Sequence, residues 1–141
     1  MTKQAIDIKK RLSLYRGTSR DIDMLYCEIE RLKALGENKQ ECCNVSHMRN
    51  KTVLSLGRER EAKKKELKLL DQLLSELDAV ERDVLTCRYI LGLSWNKCFS
   101  EMRKKKHYYS QRTIFRIHNS AIMHMAQANN RKKHIKNISN L

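Results

Sequence analysis

Four side chains in the last third of the chain share one chemistry. Gln111, Arg112, Arg116 and Asn119 lie in the stretch YSQRTIFRIHNSAI, residues 109–122. An arginine forks onto the two acceptors of a guanine edge, and an Asn or Gln amide matches the donor–acceptor edge of adenine. If Ile114, Ile117 and Ala121 turn inward on a helix, then Arg112, Phe115, Arg116 and Asn119 turn outward, with Gln111 at the boundary. That set suits a major groove. Groups suited to phosphates surround it. Lys104, Lys105 and Lys106 precede the helix, Ser110 opens it, and Ser94 and Lys97 open the helix before. A capped helix N-terminus offers N–H donors and the positive end of the helix dipole to an anion. A charged outer face is usually only a solvated face. Here it coincides with two Ser-led helices and a near absence of acids, which favours a nucleic acid.

Charge supports the same region. Residues 1–93 hold 19 Lys and Arg against 15 Asp and Glu, an excess of +4. Residues 94–141 hold 11 against a single acid, Glu101, an excess of +10. The asymmetry points to a polyanion on the C-terminal third, with duplex DNA ahead of an anionic membrane surface. At 141 residues the chain has room for one or two small domains. Proline is absent and glycine occurs four times, so helix is favoured throughout and sheet turns are scarce. No apolar run is long enough to span a membrane. The N-terminal MTKQAIDIKKRL has no apolar leader core, and the five cysteines are odd in number. The expectation is a reduced cytoplasm with free thiols.

These residues have to be positioned by helices. Residues 4–35 read as one helix, with Ile8, Tyr15, Ile22, Leu25, Ile29 and Leu32 forming a narrow seam. Gly36 is a stop, and the polar stretch 36–50 reads as a loop. A second helix is expected from about 51 to 74, with Val53, Leu56, Leu67, Leu70 and Leu74 in one heptad register. The two could close as an antiparallel hairpin, with Leu25, Ile29 and Leu32 against Leu67, Leu70 and Leu74, or pair with a second copy of the chain. From residue 75 the pattern changes. Val80, Val84, Cys87 and Leu91 line one face, and Gly92 ends that helix. Trp95, Cys98, Phe99 and Met102 form the inner face of the next one. Ile114, Ile117, Ala121 and Met125 do so for the last, and the basic tail from 129 reads as frayed.

DAVERDVLTCRYILGLSW, residues 78–95, resembles the entry to sigma-70 region 4: a Glu-Arg pair, a Val-Leu, an Arg-Tyr, then Gly-x-Ser ahead of a helix-turn-helix. YSQRTIFRIHNSAI resembles the recognition helix of the phage sigma-like regulators related to RinA and ArpU. The resemblance covers about residues 75–128 and, loosely, 15–74. It implies a phage or prophage regulator of late genes that acts at promoter DNA. Two local features depart from the family pattern. RKKKHYY, between Met102 and Ser110, is either an insertion or a longer helix, and Cys98-Phe99 stands where Ile-Ala is usual.

Other signals carry less. Cys42, Cys43 and His47 lie close together but lack the fourth ligand and the spaced pairs of a structural zinc site. Cys87 and Cys98 read as small buried hydrophobes, Trp95 as a core plug, and His118 as a satisfied, partly buried imidazole. Of Tyr108 and Tyr109, one is expected to close the core. No phosphate loop, nucleophile elbow or metal-binding helix is present, so no enzyme, catalytic residue, metal or cofactor is expected. The expected architecture is all-α. A helical hairpin or coiled coil over 1–74 precedes a sigma-region-4-like helix-turn-helix module at 75–128 and a basic tail at 129–141. Gln111, Arg112, Arg116 and Asn119 would read bases, while Ser94, Lys97, Lys104, Lys105, Lys106 and Ser110 would hold the DNA backbone. The expected partner is double-stranded DNA, with host RNA polymerase and a homodimer as further partners and no membrane. The alternatives are an adaptor that docks on RNA polymerase and a small DNA-recognition subunit of a phage packaging machine.

Overall fold

The computed structural model describes residues 1–37 and 43–139. It is all-α, with no strand among those residues. Helix α1 covers Lys3–Ser13, α2 Tyr15–Leu35, α3 Cys43–Ser75, α4 Ala79–Leu85, α5 Trp95–Lys104 and α6 Gln111–Ser139. Between α4 and α5 the chain makes one π-helical turn, Thr86–Ile90. No helix is long and apolar enough to cross a membrane among the described residues.

The chain divides into two compact units. One joins Met1–Arg16 to Leu69–Leu141, and the other is Gly17–Lys68. This division differs from a boundary at 74, and the reason lies in α1. Thr2 caps that helix, its hydroxyl accepting from the Ala5 N–H at 3.2 Å. Ala5, Ile8 and Leu12 then fall on one face at i, i+3 and i+7. They are fully buried in a core with Leu70, Leu73, Leu74, Leu77, Leu85, Ala121, Ile122 and Met125. The helix expected to be continuous over 4–35 is interrupted at Leu14. The Tyr15 hydroxyl then donates to Asp71 Oδ1 at 2.8 Å, fastening the start of α2 to the last turns of α3. Burial and this bond push the Tyr15 phenol up to about 12.

Within Gly17–Lys68, α2 and α3 run antiparallel. Asp21 pairs with Lys63 at 3.5 Å, the Arg60 guanidinium lies 5.0 Å from the Tyr26 ring centre, and Gly36 sits beside Arg49. Partner numbers on α3 fall as those on α2 rise. Ile22 and Ile29 are buried on that seam. The expected pairing with Leu70 and Leu74 is not made, because those side chains belong to the core of the other unit. Helix α3 also starts earlier than about residue 51. Its first turns, from Cys43, take in residues 43–50 of the stretch expected to be a loop, while residues 36–37 form a turn. Apolar periodicity is weak there, but neither Gly nor Pro interrupts the chain between Gly36 and Gly57. Cys42 lies outside the described residues.

In the larger unit α6 packs mainly against α1 and α4. Its middle, Ala121–Ala128, closes the core shared with α1 and α3. Its first turns place Ile114 in a second small core with Val84 and Met102, bordered by Val80, Trp95, Phe99 and Ile117. The tail expected to fray continues α6 to Ser139. An established helix extends at low cost per residue, and the Lys132–Glu76 ion pair at 2.7 Å ties the extension back to the body.

Candidate nucleic-acid interface

Two sharp stops aim α5 and α6. Gly92 ends the π-helical turn at φ +67°, the left-handed region that glycine enters without strain. The Leu93 N–H reaches back six residues to the Cys87 carbonyl at 3.0 Å. That is one residue wider than a Schellman bond, as a π-turn requires. Arg88 donates to the Leu93 carbonyl at 3.0 Å and stacks its guanidinium 4.9 Å from the Trp95 ring centre. Ser94 then caps α5, accepting from the Lys97 N–H.

The second stop resolves RKKKHYY. Helix α5 runs two residues past Met102 to Lys104, and the rest is a compact turn. The Lys106 N–H donates to the Arg103 carbonyl and the His107 N–H to the Met102 carbonyl, both at 2.9 Å. This is the bond pattern of a Schellman stop, with Lys106 at φ 64° where glycine is usual. Asp83 of α4 holds the turn down, meeting His107 Nε2 at 2.9 Å and Lys105 Nζ at 3.3 Å. Ser110 opens α6, its hydroxyl oxygen accepting from the Thr113 N–H at 3.2 Å. Both cap hydroxyls are thus engaged by their own helices. What Ser94 and Ser110 leave for a phosphate is the free N–H groups of the turns they cap.

An aromatic cluster joins α5 to α6. Trp95 and Phe99 stack at 6.1 Å, and Phe115 meets both edge-on, at 4.7 and 5.7 Å. Phe115 stays on the outward side of α6, 41% exposed, and makes these ring contacts from there. Trp95 is half-buried rather than a sealed plug. Neither tyrosine closes the core, since Tyr108 is 78% and Tyr109 45% exposed. The Schellman turn directs His107 inward in their place, and both rings stand at the surface just ahead of α6.

Gln111, Arg112, Arg116 and Asn119 are all exposed. Arg112, Arg116 and Asn119 follow at i, i+4 and i+7, which aligns them in one row on α6. Lys97, Lys104, Lys105 and Lys106 are exposed on the preceding helix and turn. Two of these lysines already face an acid: Lys104 pairs with Glu101 at 3.0 Å and Lys105 with Asp83. Lys97, Lys106, Arg112 and Arg116 have no ion pair among the described residues.

His118 is 4% exposed and fully bonded. Its Nε2 lies 2.7 Å from the Tyr89 hydroxyl, and its Nδ1 lies 3.0 Å from Asn119 Oδ1. The Tyr89 ring stacks on the imidazole at 5.6 Å and Trp95 meets it edge-on at 5.1 Å. Burial holds the imidazole below its ordinary pKa; the bond to Asn119 works against it, and the charges of Lys9 and Arg88 push the same way as burial. Burial likewise raises the Tyr89 phenol and the Cys87 and Cys98 thiols. The sequence gives no sign of the Tyr89–His118 contact, which joins residues 29 positions apart.

Among the described residues no cluster of three or more His, Cys, Asp or Glu side chains is placed to hold a metal. Cys43 is an exposed free thiol. No protein-family model, curated protein or solved structure matches the chain.

Proposed function

We propose that the chain binds double-stranded DNA in a sequence-dependent way and acts in transcription control, as a binding protein and not an enzyme. The observation that carries this is the row Arg112, Arg116 and Asn119. It is exposed on the first turns of a capped helix, backed by an aromatic core and approached by a turn of three lysines. A helix presented in this way fits the major groove, with side chains of its first turns at base edges and the flanking lysines at phosphates. The resemblance to phage sigma-like regulators makes late-gene promoters, in a bacterial host, the expected targets.

The polymerase-docking alternative needs a partner surface, and the apolar and acidic stretch ELDAVERDVL, residues 76–85, is the place for one. Most of its acids are engaged within the chain. Glu76 pairs with Lys132, Glu81 with His124 Nδ1 at 2.9 Å, and Asp83 with Lys105 and His107. Arg82 is spent on the carbonyls of Leu74, Ser75 and Leu77. That leaves a poorer partner surface than the sequence suggested, so DNA is the reading carried forward.

The test is recovery and sequencing of genomic DNA bound by the full chain. Enrichment at promoters supports the proposal. Enrichment at a packaging site alone moves the same interface to the packaging reading. Absence of enrichment, with no retained duplex DNA, overturns it.

A further inference from the structure

Resting on the DNA reading, we propose that Tyr89 and His118 form a buried positioning relay that fixes the Asn119 amide, oxygen inward and N–H2 outward, and so sets which base edge Asn119 accepts. The direction of the relay follows from bonding rules. Asn119 Oδ1 is an acceptor only, so His118 Nδ1 must carry the proton at their 3.0 Å contact. In a neutral imidazole the other nitrogen is then an acceptor, so the Tyr89 hydroxyl donates to Nε2 at 2.7 Å. Burial favours the uncharged form of both rings, as this arrangement requires. Stacking of Tyr89 and the edge of Trp95 fix the imidazole plane.

The consequence falls on the exposed end of Asn119. With one lone pair of its oxygen held inward, the side chain turns its two N–H donors to the groove. It therefore favours base edges that offer acceptors, above all guanine N7 and O6, over the donor–acceptor edge of adenine that an unconstrained Asn fits best. Neither Tyr89 nor His118 touches the DNA. They act through Asn119.

Tyr89→Phe tests this without removing the packing, since the ring remains and only the hydroxyl is lost. Without that donor, His118 is free to move its proton to Nε2. Nδ1 then becomes an acceptor and the Asn119 amide turns over. Two readouts separate the steps. Nitrogen NMR of the imidazole should show the Nδ1–H tautomer in the parent chain and a shift toward Nε2–H in Tyr89→Phe. Binding to a duplex library should show the preference at the base read by Asn119 moving about tenfold from guanine toward adenine in Tyr89→Phe, and vanishing in Asn119→Ala. An Nε2–H tautomer in the parent chain overturns the relay. So does a preference that Asn119→Ala abolishes and Tyr89→Phe leaves unchanged. A parent chain with the Nδ1–H tautomer but no affinity for any duplex keeps the buried geometry and overturns both the DNA reading and the specificity built on it.

Discussion

At the scale of single residues, burial and exposure on α6 follow helical spacing, while ring contacts reach across it. Phe115 falls on the outward side of a wheel centred on Ile114, Ile117 and Ala121, stays exposed there, and meets Trp95 and Phe99 edge-on. The groove-facing row narrows to Arg112, Arg116 and Asn119, and a division of labour follows. Replacing Arg112 or Arg116 by Ala should relax base preference by about 1–3 kcal/mol at one position each. Lys105→Ala should weaken all duplexes alike, and only slightly, because Asp83 already compensates that charge. A panel of duplexes differing at single positions would show the pattern; a change of preference in the lysine variant alone would reverse the assignment. His118 carries a pH dependence. Its folded-state pKa is depressed, so the stabilisation it contributes is complete above the unfolded value of about 6.5 and fades as pH falls below it. Imidazole proton shifts followed from pH 8 to 4 should give a midpoint for His118 below about 6.5. A midpoint at or above that value would contradict the buried, neutral ring.

At the scale of elements, the stops matter as much as the helices. Gly92 was legible because glycine after an apolar run marks a helix end. The second stop was not, because Lys106 takes up the left-handed conformation without being glycine. That strain belongs to a defined place, so its relief is measurable. Lys106→Gly should stabilise the chain by about 0.5–1 kcal/mol, the left-handed penalty of a side chain less the added freedom of glycine when unfolded. The same change removes a cation beside α6 and should weaken DNA binding. Thermal melts and duplex titrations of one variant should therefore move in opposite directions. A loss of stability would show that the lysine side chain holds the turn by contacts worth more than the strain. The early start of α3 and the break at Leu14 were hidden for other reasons. Polar residues without Gly or Pro do not stop a helix, and Leu14 carries no breaker signal at all.

At the scale of the whole chain, the all-α class, the capped α5 and α6 and the four exposed candidates on α6 could be read from composition, Ser caps and spacing. The composition of the larger unit could not. Ala5, Ile8 and Leu12 look like the start of a seam that continues through Ile22 and Ile29, and only three-dimensional packing shows that they close the core beneath α6. Leu12→Ala should for that reason cost about 2–5 kcal/mol in the unit that holds the candidate interface. Hydrogen exchange would locate the damage: amides of α6 near Ala121–Ala128 should lose protection. Faster exchange confined to Gly17–Lys68 would show that α1 belongs with the hairpin after all.

Charge follows the same division. Gly17–Lys68 holds 12 basic and 9 acidic residues, while Met1–Arg16 with Leu69–Leu141 holds 18 and 7, so +11 of the formal +14 resides with the candidate interface. The number of phosphates neutralised sets the salt dependence, with log affinity falling about 0.9 per contact for each unit of log salt. Of the residues assigned to phosphates, Lys97 and Lys106 are free of acids among the described residues, and Lys104 and Lys105 add partial charges to that set. Between two and four effective contacts give a slope of roughly −2 to −3.5. Raising salt from about 50 to 200 mM should then weaken duplex binding by roughly 15-fold to 130-fold. Removing Lys97 or Lys106 should lower the slope by about one. An affinity that stays flat across this range would mean that the basic turn and α6 make no phosphate contacts, and the DNA interface proposed for them would have to be abandoned.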